Sequence, residues 1–371
     1  MDFFVEKSDL LKELNFVRSA VEKRNTIPIL SHFLLKAEGF ELRITATDLE
    51  IAARTVCQAK VITTGVAVVP GLRFLEIVRA AASGEIRCRA LENYWVQVTY
   101  ERSSFKLVGL AKGDFPKFPA IPKAIAQIDA CMLAECAGKT SFAISQDESR
   151  YLLNGALLKL KPDSVTMVST DGHRLALAEC KVTIPGLKEE ASVLIPKKAL
   201  VLLRHLAEED AEEASVEISK DKSHVVFCLG SRVLASRLLT GEFPNYEAVL
   251  PKENSKVAEL NREELEAVVR RVSLLADDRL PGVRLALETG RIEVSASSPE
   301  YGEAKEVVET RYEQETLQIG FNAQYVLEFL AAVGAASSVR MRVKDAESAA
   351  EFRPAGDDDE HYRYVLMPLR L

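Results

Sequence analysis

The chain has 371 residues, 47% of them hydrophobic and 28% charged, with a net charge of −7. That length has room for two or three domains of ordinary size, and the balance is that of a chain that folds, not of a disordered one. The acidic total excludes a protein that holds nucleic acid by phosphate neutralisation alone, but not one whose cations gather on a single surface.

The opening MDFFVEKSDLLKEL is charged within its first ten residues, so no signal peptide is expected, and no run approaches the eighteen apolar residues of a membrane span. The cysteines at 57, 88, 131, 136, 180 and 228 form no CxxC pair and read as reduced thiols of a cytoplasmic protein. The five histidines are scattered, so neither a metal nor another cofactor is expected.

In chain order, SDLLKELNFVRSAV predicts a first helix with Leu10, Leu11, Leu14, Val17 and Val21 on one face. Paired strands follow in HFLLKAEGFELRITATDLEIAARTV, with half-buried alternation at 42–44. A second helix opens at Pro70 in VVPGLRFLEIVRAA, because proline suits a helix start whose N–H has no partner anyway. YWVQVTYERSSFKLVGL supplies further strands, and the prolines of FPKFPAIPK, from Phe115, close the region.

The order then repeats. CMLAECAGKTSFAI is a weaker first helix, NGALLKLKPDSVTMVSTDGHRLALAEC a strand pair, LIPKKALVLLRHLAE a second helix marked by Pro196, and FPNYEAVLPK, from Phe243, a second linker. In the third round, NREELEAVVRRVSLL carries Asn261 and Glu264 as a capping box ahead of Leu265, Val268, Val269 and Val272. GVRLALETGRIEVSASSPEYGEAKEVV, IGFNAQYVLEFLAAV (marked by Gly320) and SVRMRVK complete it, and the chain ends in YVLMPLRL. A period of roughly 125 residues predicts an α+β chain of three similar domains, 1–125, 126–250 and 251–371, each with two helices packed on antiparallel sheets.

One stretch looks catalytic. VSTDGHRLALAEC brings Asp171, His173, Arg174 and Glu179 close to a cysteine. Its counterparts, ATDLEIA and SSPEYGEA, contain no histidine, so an Asp–His pair is not part of the shared scaffold. Asp-Gly is a tight-turn signal, and no nucleophile-elbow or cysteine-nucleophile pattern accompanies it. The segment is read as a turn with a surface role, and no catalytic residue is assigned.

TIPILSHFLL, SRYLLNGALL, STDGHRLALAEC, GEFPNYEAVLP, IGFNAQYVLEFL and the terminal YVLMPLRL span the chain. Together they resemble the bacterial DNA polymerase III beta subunit family, the sliding clamps. The resemblance implies a non-catalytic processivity factor: two chains joined head to tail into a ring of six domains with pseudo-sixfold symmetry. Twelve helices would line the hole around double-stranded DNA, and sheets would form the outer wall. Contacts to DNA would be sequence-independent, since phosphate contacts position without specifying sequence. Arg24 and Gln146 match family positions that touch DNA, and polar helix faces add Lys12, Arg73, Arg79, Lys197, Lys198, Arg204, Arg270 and Arg271. The helix NAQYVLEFLAAV offers no cation, and CMLAECAGKTSFAI only Lys139.

The family also implies a hydrophobic cleft for short peptides of the DNA polymerase III alpha subunit, the clamp loader, and other polymerases and repair proteins. By motif it would comprise Leu153, Thr170, Gly172, His173, Arg174 and Leu175, then Pro244 and Val249, then Asn322, Tyr325, Val365, Leu366, Met367, Pro368, Leu369 and Arg370. An apolar chain end should be tied into structure, and methionine suits a surface that accepts several partners. Leu152 stands where better-known members often carry tyrosine, and the acidic GDDDEH at 356–361 adds negative charge beside the pocket. At the seam between chains, Leu274 and Leu275 would meet a patch including Phe105.

Overall fold

The computed structural model describes residues 1–21, 26–209, 215–277, 281–334, 336–356 and 361–370. The first third runs β1 (Asp2–Glu6), α1 (Lys7–Arg18), β2 (His32–Glu38), β3 (Glu41–Thr47), β4 (Ile51–Gln58), β5 (Lys60–Thr63), β6 (Gly65–Pro70), α2 (Gly71–Ala80), β7 (Glu85–Ala90), β8 (Trp95–Tyr100) and β9 (Ser103–Val108). The second runs β10 (Ala124–Asp129), α3 (Ala130–Thr140), β11 (Gly155–Lys161), β12 (Ser164–Thr170), β13 (Arg174–Lys181), β14 (Ala191–Pro196), α4 (Lys197–Glu209), β15 (Ser215–Lys220), β16 (His224–Leu229) and β17 (Arg232–Arg237). The last runs β18 (Lys256–Asn261), α5 (Arg262–Val272), β19 (Gly282–Glu288), β20 (Arg291–Ser298), β21 (Gly302–Glu309), β22 (Leu317–Asn322), α6 (Ala323–Ala332), β23 (Ser338–Val343), β24 (Ala350–Pro354) and β25 (Tyr362–Leu366).

Local chemistry sets the helix ends. The Asn261 side chain accepts from the Glu264 N–H at 3.0 Å, acids occupy the first turn of α5, and Arg270 and Arg271 occupy its last, matching the helix dipole. Pro70 and Pro196 end β6 and β14 and directly precede α2 and α4. In the last third the start lies later than the Gly320 marker: Asn322 caps α6 by accepting from the Gln324 N–H at 2.9 Å. Each stretch that the sequence reads as a strand pair holds three strands, because TATDLE, STDGHR and SSPEYG each turn the chain back once more.

The described chain gathers into two compact units, residues 1–133 with 201–238, and 134–200 with 239–371. In the first, a five-stranded sheet β5-β1-β7-β8-β9 accompanies an eight-stranded sheet β10-β15-β16-β17-β4-β3-β2-β6. In the second, an eight-stranded sheet β14-β11-β12-β13-β25-β24-β23-β18 accompanies a four-stranded sheet β21-β20-β19-β22. Each eight-stranded sheet takes strands from two successive thirds. β17 lies antiparallel to β4 with Leu234 opposite Ala53, and β25 lies antiparallel to β13 with Tyr364 opposite Ala176. The middle third therefore contributes to both units.

Strand alternation and the inner helix faces build the cores. Leu10, Leu14 and Val17 of α1 and Phe74, Leu75 and Val78 of α2 are buried in the first unit. In the second, Phe329 stacks on Tyr364 with ring centroids 5.0 Å apart, and Phe321 meets Phe352 edge-on at 5.6 Å. Such pairs add about 0.5–1.5 kcal/mol beyond the area they bury. Among the described residues, no helix is long and apolar enough to cross a membrane.

Candidate functional site

The turn between β12 and β13 is built by its own side chains. The Asp171 Oδ1 accepts from the N–H groups of His173 at 2.9 Å and Arg174 at 3.0 Å, an Asx turn. The Thr170 hydroxyl accepts from the Gly172 N–H at 3.1 Å and donates to the Arg174 carbonyl at 2.6 Å. Gly172 sits at φ +89°, where a side chain would be strained. The Asp171 carboxylate thus shapes the backbone, while His173 is exposed.

Arg174, which the sequence pattern assigns to the cleft, is buried, at 7% exposure. Its Nε donates to Asp171 Oδ2 at 3.0 Å, Nη1 to Glu328 Oε2, and Nη2 to the Phe142 carbonyl at 2.8 Å. The guanidinium lies 4.0 Å from the Tyr325 ring centroid and 5.4 Å from that of Phe142. Burial alone would lower its pKa; Tyr364 and Glu328 more than offset that, so the pKa is held above the ordinary arginine value. Burial pushes the phenol of Tyr364 well up, against the pull of Arg174.

Beside the turn lies an apolar floor of buried Val168, Leu175, Leu177 and Val365, onto which Phe243, Tyr246, Leu250 and Ala349 pack. Of the motif-predicted residues, Leu175, Val365 and Leu366 are buried, whereas Leu153, Thr170, Tyr325, Pro368 and Leu369 are half-buried. Gly172, His173, Pro244 and Arg370 are exposed, as are Val249 at 48% and Met367 at 46%. The chain end is tied down: the Met367 N–H donates to the His173 carbonyl at 2.9 Å and the Leu369 N–H to the Gly320 carbonyl at 2.8 Å. Asn322 serves as the α6 cap. Leu152 packs on Gly241, where an added Cβ would come within 2.5 Å of its Cδ2, so this leucine abuts the linker. Residues 357–360 of the acidic stretch lie outside the described residues.

The sequence reading missed Val168, Leu177, Phe243, Tyr246, Leu250, Ala349 and Glu328. An available signal was the aromatic content of FPNYEAVLP, unusual for a solvated linker.

The predicted cations sit on helices. Lys12 on α1 and Arg73 and Arg79 on α2 are exposed; Arg79 donates to Asn15 at 3.1 Å, and Arg73 pairs with Glu76 at 2.7 Å. On α4, Arg204 is exposed and Lys197 and Lys198 are half-buried, while Gln146 is exposed in the segment after α3. Arg270 and Arg271 are paired with Glu266 and Glu306, and Lys139 with Glu135. Arg24 lies outside the described residues.

The residues the sequence associates with a seam lie on or beside the end strands of two sheets. Phe105, 38% exposed on the end strand β9, stacks on Tyr100 with centroids 5.8 Å apart. Leu274 is 76% exposed and Leu275 half-buried in the turn after α5, which packs beside the end strand β21.

Comparison with known proteins covers the same ground. Residues 1–119, 127–245 and 247–370 match family models described as the N-terminal, central and C-terminal domains of the DNA polymerase III beta subunit. The beta sliding clamps of Pseudomonas putida and Caulobacter vibrioides are 34% and 35% identical to the chain, over the full length of both proteins in each case. A crystal structure of the Pseudomonas aeruginosa DNA polymerase sliding clamp superposes with a TM-score of 0.93 at 33% identity, covering all of both chains. The clamp of that organism bound to griselimycin gives 0.94 at 34% identity, again with full coverage.

Proposed function

This chain belongs to the DNA polymerase III beta subunit family, the non-catalytic sliding clamps of DNA replication, and from that premise we propose how its own residues perform the work. The cleft beside the β12–β13 turn receives short peptides of the DNA polymerase III alpha subunit, the clamp loader, and other polymerases and repair proteins. Leu153, Pro244, Val249 and Met367 give it an apolar surface over the buried floor of Leu175 and Val365, and Gly172 and His173 form its polar rim. The observation that carries this is the pairing of an exposed Met367 and Val249 with a buried apolar floor, held by a chain end bonded back to His173. Two buried apolar anchors contribute roughly 1.5–3 kcal/mol each and hydrogen bonds about 1 kcal/mol each. Ordering a flexible peptide subtracts several; the expected affinity is micromolar, which corresponds to about −8 kcal/mol. Such contacts suit partners that exchange on one clamp.

The three clamp domains are taken as 1–125, 126–250 and 251–371. At both junctions within the chain, the last strand of one third pairs with the fourth strand of the third before it, β17 with β4 and β25 with β13. The same rule leaves β21 to pair with β9 of a second copy. Carrying the register over puts Phe105 opposite Ala304, and Lys106 opposite Glu303, a favourable cross-strand charge pair. Leu274 and Leu275 then cover Phe105. Each copy offers both surfaces, so two copies close head to tail, and six repeats form a ring. Lys12, Arg24, Arg73, Arg79, Gln146, Lys197, Lys198 and Arg204 would face double-stranded DNA, weakly enough to slide. The cytoplasm is the proposed place of work.

The test is fluorescence polarisation of a Gln-Leu-x-Leu-Phe-type peptide on the full chain and on a chain ending at Leu366. That cut spares the buried strand β25 and removes Met367 through Leu371. Micromolar binding lost on truncation is expected; equal binding by both chains overturns the cleft. For the ring, protein loaded on circular DNA should stay bound and leave when the DNA is linearised.

A further inference from the structure

We infer that Glu328, on α6, is a positioning residue for the peptide-binding turn, acting through Arg174 without touching the peptide; this rests on the cleft proposed above. The Glu328 carboxylate is held from both sides. Its Oε1 accepts from Gln324 Nε2, one helical turn earlier, at 3.0 Å, and its Oε2 accepts from Arg174 Nη1. Arg174 passes the constraint on. Its Nε fixes Asp171 Oδ2 at 3.0 Å, and the other oxygen of that carboxylate fixes the His173 and Arg174 N–H groups. The turn that offers Gly172 and His173 to a ligand, built by its own Thr170 and Asp171, is thus braced through Arg174 by a carboxylate 154 residues away in the sequence.

The rest of the site supports the direction of this chain of contacts. The guanidinium is planar, with donors in a fixed fork, so holding Nη1 also orients Nε. Tyr325 lies over its face at 4.0 Å, which restricts it to rotation in its own plane. Glu328, the Phe142 carbonyl and Asp171 together oppose that rotation, and of these Glu328 comes from outside the turn's own third of the chain. Glu328 is on the same helix as Tyr325, so the helix that supplies the stacking ring also supplies the stop.

The experiment compares peptide binding by the full chain with that of Glu328→Ala and Glu328→Gln, alongside amide hydrogen exchange. The alanine variant should bind about tenfold more weakly, the size expected when a charged hydrogen bond is removed. The glutamine variant keeps an acceptor for Nη1 and should recover most of that loss. In the alanine variant, the His173 and Arg174 amides should exchange faster while the β11–β12 ladder stays protected, a local change that general loosening would not give. If alanine impairs folding, seen as a lowered melting temperature, Glu328→Asp, whose shorter side chain draws the acceptor away from Nη1, takes its place: weaker peptide binding with faster His173 and Arg174 exchange is expected, and unchanged binding and exchange overturn the positioning role. Absence of peptide binding by the unaltered chain overturns the cleft itself. Binding by the unaltered chain that Glu328→Ala leaves unchanged, with unchanged turn protection, overturns the positioning role alone.

Discussion

The guanidinium of Arg232 on β17 grips the carboxylate of Glu13 on α1 across 219 residues of sequence, Nε to Oε2 at 3.0 Å and Nη2 to Oε1 at 3.1 Å. Arg232 is 2% exposed, its guanidinium lies 5.3 Å from the Phe16 ring centroid, and Thr55 donates its hydroxyl to the same Glu13 oxygen. Removing one partner strands a buried charge, so Arg232→Met should cost about 3–5 kcal/mol, whereas Glu13→Leu with Arg232→Met should regain most of it. Urea unfolding of the singles and the double tests this. Losses that simply add would show that the two residues do not act as a pair.

The proposed seam predicts an oligomer that a single charge can break. Phe105→Asp or Leu274→Asp would place a carboxylate in the proposed apolar contact, and sedimentation velocity should then give one chain where the unaltered protein is expected to give two. Both positions are exposed within the chain, so the melting temperature of the separated chain should change little. A variant that still sediments as a dimer would move the seam elsewhere.

Alkali should destabilise the fold early. Burial pushes the Cys57 thiol up to about 12, with help from Glu13 and Asp9, and raises Cys88, Tyr362 and Tyr364 as well. A folded-state pKa above the unfolded one gives stability that is complete below the unfolded value and lost as pH rises towards the folded one. With unfolded thiols near 9 and phenols near 10, the unfolding midpoint should hold to about pH 8.5 and fall above it. The same burial predicts that iodoacetamide at pH 8 labels exposed Cys131 first and reaches Cys57 and Cys88 only in urea. Prompt labelling of Cys57 in the native protein would contradict it.

If Lys12, Arg73 and Arg79 face DNA, changing all three to glutamine should weaken low-salt binding to duplex DNA without regard to sequence. The slope of log affinity against log salt should flatten by about 0.9 for each phosphate that is no longer neutralised. An unchanged slope would assign these cations to the solvated surface.

The order of elements was legible because periodicity, caps and prolines are local signals. Asn261 and its partner Glu264 could be read directly, and the Asp171–Gly172 turn followed from its residue types. What could not be read was long-range. Nothing near Arg174 announces Glu328, and nothing near Leu234 announces Ala53, since strand register between distant segments depends on surfaces that exist only after folding. Arg174 was assigned to the cleft by motif, and the motif carries no sign of its burial, which an aromatic ring and a carboxylate from α6 make tolerable. Leu152 likewise found its meaning in Gly241, a residue whose lack of a side chain leaves room for it.

The pairing of β17 with β4 makes the peptide link between the first two thirds redundant for holding them together. Hydrogen bonds from Val233 to Ser236 against Ile51 to Arg54, and the Arg232–Glu13 grip, bind the same two stretches that the proline-rich linker joins covalently. A protease cut at Lys117 should therefore give two bands on a denaturing gel but a single native species. Where the backbone is interrupted is a matter of gene arrangement, not of adhesion.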